Sequence, residues 1–173
     1  KELGMTVIVT DHHEVVRAED GSQILPEADA VVNPHRDDCP YPFAGICGGV
    51  VAYKLVQVLY EQNRIPEQEW KDMLEFAAIA TVGDVMKLQD ENRIIVRWGL
   101  KQIPHTASAG LRALVEACGL DICNLTAYHI GFVIGPCLNA SGRLKTAQLA
   151  LELLLCGEET SEGLLSASGT QNG

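Results

Sequence analysis

The sequence predicts an α/β fold of three layers, a mostly parallel sheet with flanking helices. Three observations point there. Met5-Thr6-Val7-Ile8-Val9-Thr10 is a short β-branched run of the kind that forms a buried strand. Ala30-Val31-Val32-Asn33 is a second such run, and helical periodicities follow it. Polar residues gather directly after both runs, where parallel sheets place their ligands.

The elements follow in order. Lys1-Glu2-Leu3-Gly4 reads as the last turn of a helix with Gly4 as its left-handed cap, so the sequence is expected to enter a βαβ unit partway through. Strands are expected at 5–10 and 30–33. Pro34, Pro40 and Pro42 hold 33–44 in an extended loop. Gly45-Ile46-Cys47-Gly48-Gly49 then opens a helix over about 48–62, with Val51, Leu55, Val58 and Leu59 on one face. Pro66, Glu67 and Glu69 start another, running to about Ala80 with Trp70, Met73, Leu74, Ala77 and Ala78 inward. Further helices are expected at 91–102, with Ile94, Ile95 and Trp98, and at 107–118, ended by Gly119. Two more are expected at 126–134 and 144–156, with Gly135–Arg143 as the link between them. From Gly157 the pattern collapses, and 157–173 has the composition of a flexible tail.

The chain has 173 residues, enough for one sizeable core, and its apolar content is aliphatic: 47 % hydrophobic but 5 % aromatic. No apolar run approaches the roughly 20 residues of a membrane helix, and no signal-peptide pattern is present. The six cysteines are scattered without a Cys-x-x-Cys pair; they are expected as buried free thiols, and the location as cytoplasmic. A net charge of −10 argues against broad adhesion to nucleic acid. It still permits a nucleic-acid enzyme whose cleft is made positive by metal ions and a few basic side chains.

Asp11-His12-His13 is the most informative site. One carboxylate and neutral imidazoles past a strand suit a divalent metal. The alternative is a surface turn in which Asp11 caps a helix. Three other segments carry polar residues at element ends: Asn33-Pro34-His35-Arg36, Gly83-Asp84 and Asn139-Ala140-Ser141-Gly142-Arg143. Asp84 alone reads more often as a helix cap than as a ligand. Gly48 and Gly49 open a helix whose N-terminus favours an anion, although such a turn serves packing more often than phosphate. Arg143, read at the start of a helix, is placed where the dipole favours an anion, so it is expected to serve a bound phosphate; a surface pair with a carboxylate such as Glu152 is the alternative.

Together these segments resemble the DHH phosphoesterase superfamily. The Asn-Pro-His-Arg and Asn-Ala-Ser-Gly-Arg stretches make the sequence more specifically similar to its RecJ family of single-stranded-DNA exonucleases, over about residues 3–156. The resemblance implies a partial DHH catalytic domain over 1–156 and a two-metal centre using Mn²⁺ or Mg²⁺. It implies Asp11, His12 and Asp84 as metal ligands. Asp11 and His13 would act at the scissile phosphate; His35, Arg143, Asn139, Gly48 and Gly49 would lie near the substrate phosphates. The implied reaction is 5′ to 3′ hydrolysis of single-stranded DNA in repair and recombination. The family's Asp-x-Asp motif lies before Asp-His-His, and nothing in Lys1–Thr10 supplies it. Half of the metal shell is therefore expected to be missing from this chain, the chain by itself to be inactive, and an exposed sheet edge to drive homo-oligomers. The rivals are another DHH phosphodiesterase, acting on oligoribonucleotides or cyclic dinucleotides, and a non-catalytic scaffold of the same fold.

Overall fold

The computed structural model describes residues 4–144 and 147–156. Strands β1 (Ile8–Thr10) and β2 (Ala30–Val32) pair in parallel, in the register Ile8↔Ala30, Val9↔Val31 and Thr10↔Val32. They are the strands of one two-stranded sheet among the described residues. Their connection carries no helix. It folds back on itself through a bridge between Arg17 and Gln23. Helices follow: α1 (Gly48–Gln62), α2 (Glu67–Lys71), α3 (Leu74–Gly83), α4 (Asp90–Gln102), α5 (Ala109–Ala117), α6 (Ala127–His129), α7 (Gly135–Leu144) and α8 (Ala147–Leu155), with short 3₁₀ turns at Ile103–His105 and Ile122–Asn124. The α/β class therefore holds, with the helices carrying most of the packing.

The core has two parts, and α3 belongs to both. Ala77 and Ala78 pack with Ile46, Cys47, Val50 and Val51 before and within α1, and with Ile95 and Val96 of α4. Ile79 packs on the other side with Ile103, Leu111, Leu114, Val115, Ile130 and Ile134. An alanine-rich α3 permits this, because small side chains let two neighbouring helices approach closely. A Cβ built on Gly99 of α4 would stand 2.3 Å from Ala78 Cβ, and one on Gly49 of α1 would stand 2.4 Å from Ala80 Cβ.

Several expectations are corrected. The strands are not buried: Ile8 is 60 % exposed and Val32 44 %, because the sheet has two strands and α1 covers only part of it. The helix expected from Pro66 to Ala80 is two, α2 and α3, separated at Asp72-Met73. On α1, Val50 and Val51 face the core while Leu55, Val58 and Leu59 form an exposed stripe. On α4, Ile95 is buried but Ile94 and Trp98 lie outside, with Lys101 Nζ 4.6 Å above the Trp98 ring. Of the six free cysteines only Cys47 is buried; Cys123 and Cys137 are exposed. The Gly135–Arg143 link is helical: a π-helical turn at Ile130–Ile134 joins α6 to α7 without a loop. Pro136 stands in the first turn of α7, directly after the π turn, where a missing backbone N–H is tolerated. Gly4 has the left-handed φ of +68° expected of it, while the helix expected before it falls outside the described residues, as does the tail over 157–173. No helix among the described residues is long and apolar enough to cross a membrane.

Candidate metal centre

β1 ends at Thr10, and the chain turns at once into Asp11. The Asp11 backbone N–H donates to Val32 O of β2 at 2.9 Å, which ties the turn to the sheet. Asp11 then organises the two histidines after it. Its Oδ1 accepts the His12 backbone N–H at 2.7 Å and the His13 N–H at 3.3 Å. The same oxygen meets His13 Nδ1 at 2.6 Å. These contacts hold the Asp11 carboxyl below the usual carboxylate range, with His13 the main cause. In return Asp11 raises the His13 imidazole above its ordinary value. The pairing through Nδ1 leaves Nε2 of His13 as the nitrogen available to a ligand.

The sequence residues Asp11, His12, His13 and Asp84 converge. Ligand atoms of Asp11, His12 and His13 lie within 4.8 Å of one another. The His12 and His13 ring centroids are 4.4 Å apart. Asp84, the C-terminal cap of α3, brings Oδ2 to 3.5 Å from His12 Nε2. Asp84 is thus both the helix cap and a member of the cluster, so the two readings of it are compatible. A cation bound here would take carboxylate oxygen from Asp11 and Asp84 and imidazole nitrogen from His12. Carboxylates with imidazole are a donor set that Mn²⁺ accepts.

His35 sits in the neighbouring loop. Its Nδ1 is 3.1 Å from Glu14 Oε1, and its backbone N–H donates to Asn33 Oδ1 at 2.8 Å. Sequence reasoning assigns Asn33 no role of its own, yet it joins the two loops: it is 5 % exposed, and its Nδ2 donates to His13 O at 2.9 Å. The signal was an amide directly after a strand and before proline, where a side chain must replace the ladder partner that proline removes. Arg17 reinforces the arrangement through a two-pronged contact with Asp37, at 2.6 and 3.0 Å.

The glycines separate. A Cβ on Gly48 would come within 3.1 Å of His12 Cδ2, so the first turn of α1 abuts the cluster, and a larger residue there would push the His12 ring by a few tenths of an ångström. Gly49 is required instead by the approach of α1 to α3 at Ala80. Asn139 is exposed on α7. Arg143 lies near the C-terminal end of α7, not at the start of a helix. The dipole there welcomes a cation, so the argument that its position favours a bound anion does not hold.

A parallel strand pair delivering Asp-His-His beside a helix-capping aspartate defines a class. Residues 1–81 match the DHH family, N-terminal domain. The relatives the chain matches are RecJ proteins. The single-stranded-DNA-specific exonuclease RecJ of Bacillus subtilis is 39 % identical over 155 residues, covering 90 % of this chain and 18 % of the relative. That of Escherichia coli is 34 % identical over 166 residues, covering 90 % and 28 %. The crystal structure of an exonuclease RecJ bound to manganese superimposes with a TM-score of 0.79 at 34 % identity, over 96 % of this chain and 40 % of that one. RecJ from Thermus thermophilus in complex with Mn²⁺ gives 0.78 at 33 %, over 96 % and 24 %, and its Mg²⁺ complex gives 0.67. The chain spans 18–29 % of the length of the curated relatives it matches.

Proposed function

We propose that this chain carries part of the metal centre of a RecJ-like phosphodiesterase, a 5′ to 3′ exonuclease on single-stranded DNA. The observation that carries the reading is the convergence of Asp11, His12, His13 and Asp84 on one point at the end of β1. A scaffold would have no use for clustered ligands held this closely. The Asn33-Pro34-His35-Arg36 loop joined to His13 favours the RecJ reading over other DHH phosphodiesterases, which generally lack it.

Asp11, His12 and Asp84 would hold Mn²⁺ or Mg²⁺. When bound, such ions activate a water and stabilise the leaving oxygen in a displacement at phosphorus. The protein's own contributions are distinct. Asp11 orients His13 and favours its protonated form, whose Nε2–H would donate toward a phosphate oxygen or a leaving group. Asn33 fixes the His13 main chain. His35, Asn139, Gly48 and Gly49 are assigned to the substrate phosphates; for Gly49 the packing against Ala80 gives a second reason for glycine. Arg143 is assigned there on the resemblance alone. The catalytic unit is taken as 1–156, with a cytoplasmic location.

The test uses the full-length protein containing this chain, with Mn²⁺ and a labelled single strand. His12→Ala and Asp84→Ala should each abolish most cleavage while leaving the thermal transition in place. The double variant should be no worse than the poorer single one, because ligands of one centre act as a unit. A double variant far worse than either would remove Asp84 from the centre.

A further inference from the structure

The helical run from Ala127 to Ile134 has two faces. Ile130 and Ile134 are fully buried and anchor it. Tyr128 and Phe132, one turn apart on the outer face, are 63 % and 72 % exposed, and they stack on each other with centroids 4.9 Å apart and planes at 28°. Two large rings stacked in the open are a costly use of apolar surface unless something lies against them. The first turn beneath them is held in place: the Thr126 N–H donates to His129 Nδ1 at 3.1 Å in a capping box, and the Tyr128 ring packs edge-on to His129.

The rings form one wall of a cavity of about 490 Å³. Val82, Gly83, Val85, Met86 and Leu88 form the opposite wall. Gly83 and Val85 are the two neighbours of Asp84, so the slot begins where the candidate metal centre ends. Val85 adds a second observation. It is 87 % exposed and has a φ of +56°, the left-handed region that a β-branched residue rarely adopts. A residue held in that conformation directly after a carboxylate of the candidate metal centre is the kind of strain that functional sites retain. The slot is lined by apolar side chains, so it suits a flat π surface rather than a phosphate.

We propose that Tyr128 and Phe132 form a stacking platform for one unpaired nucleobase of a single-stranded substrate whose phosphate lies at the Asp84 side. This rests on the phosphodiesterase reading above and adds to it the part of the substrate that is not charged. Stacking on an aromatic side chain is tolerant of sequence, because every base has a π face. It also supplies affinity that does not depend on basic residues, which matters in a chain with a net charge of −10.

The experiment is a cycle between protein and substrate. Full-length wild type, Tyr128→Ala, Phe132→Ala and Phe132→Trp are assayed with Mn²⁺ on a single-stranded oligodeoxynucleotide. The same oligonucleotide carrying one abasic residue, stepped one position at a time from the digested end, provides the other side of the cycle. On the intact strand Phe132→Ala should raise KM roughly five- to a hundredfold, the worth of one base stack. Phe132→Trp should restore most of that. At one abasic position wild type should show the same loss, and Phe132→Ala should add nothing to it. If Phe132→Ala weakens abasic and intact strands equally at every position, the platform does not bind a base. If the alanine variants instead alter the association state, the face is covered by protein and the proposal is overturned. If wild type cleaves no single strand at all, the phosphodiesterase reading fails and takes this one with it.

Discussion

Glu75 shows what a single residue costs this fold. It is 2 % exposed at the start of α3; Thr106 Oγ1 donates to its Oε1, while Oε2 finds no partner among the described residues. Burial pushes its carboxyl above the ordinary value of 4.5. The native state therefore holds this proton more tightly than the unfolded chain does. The resulting stability is fully present below about pH 4.5 and is lost as pH rises through the raised native value. Glu75→Gln keeps an acceptor for Thr106 and cannot ionise. Its thermal transition should fall less than that of wild type between about pH 4 and about pH 8. Parallel curves for the two proteins would show that the Glu75 carboxyl holds its proton equally tightly in the folded and unfolded states. Nothing in the sequence marks Glu75, because a lone glutamate in a first turn reads as a dipole partner facing solvent. Asp11-His12-His13 is legible for the opposite reason: its geometry is almost wholly local, set by three consecutive residues after a strand. Asp84 can be placed at the end of an element but not beside His12, since that contact joins residues 72 positions apart and depends on how α3 crosses α1.

At the scale of elements, legibility follows length and capping. α1 is expected over about 48–62 and is found at Gly48–Gln62; α5 ends before Gly119, whose φ is +68°. The errors lie where periodicity is shared by two neighbours. α3 is apolar around its whole circumference because it packs against both halves of the core, and pattern alone cannot show where such a helix is broken. The Gly135-Pro136 pair reads as a break by local rules, yet Ile130 and Ile134 are buried deeply enough to hold a π turn through it. The same tertiary control makes some glycines irreplaceable. A Cβ on Gly110 would lie 1.7 Å from Leu153 O, so α5 and α8 touch through backbone there. Gly110→Ala gains about 1 kcal/mol of intrinsic helix propensity. It loses more, about 1–3 kcal/mol from overpacking, because a main-chain carbonyl cannot rotate away as a side chain can. Chemical denaturation should show net destabilisation, accompanied by faster amide exchange in α8. A stabilised variant would mean that α8 is not docked on α5.

At the scale of the whole molecule, charge and apolar surface oppose each other. Met5, Ile8, Val16, Ile24, Leu25 and Val32 are all at least 38 % exposed on and around the sheet, and Leu55, Val58 and Leu59 continue an apolar stripe along α1. The two strands pair only with each other among the described residues; the Val31 carbonyl on the outer edge of β2 accepts from Arg36 Nη1, so β1 presents the more open edge to another strand. Against this stands the net charge of −10, which repels a second copy over about one Debye length, roughly 8 Å at physiological salt. The 173-residue chain by itself should therefore self-associate in a manner that strengthens with ionic strength. Salt screens the repulsion and leaves the apolar contact intact. That is the reverse of binding to DNA, which salt weakens by removing the gain from counterion release. Sedimentation equilibrium across a salt series separates the two. Ile8→Lys, which places a charge at the exposed start of β1, should shift the distribution toward monomer at every salt concentration. A monomer that persists at high salt would show that the apolar edge is too short or too twisted to pair, and that the expected homo-oligomer does not form through the sheet.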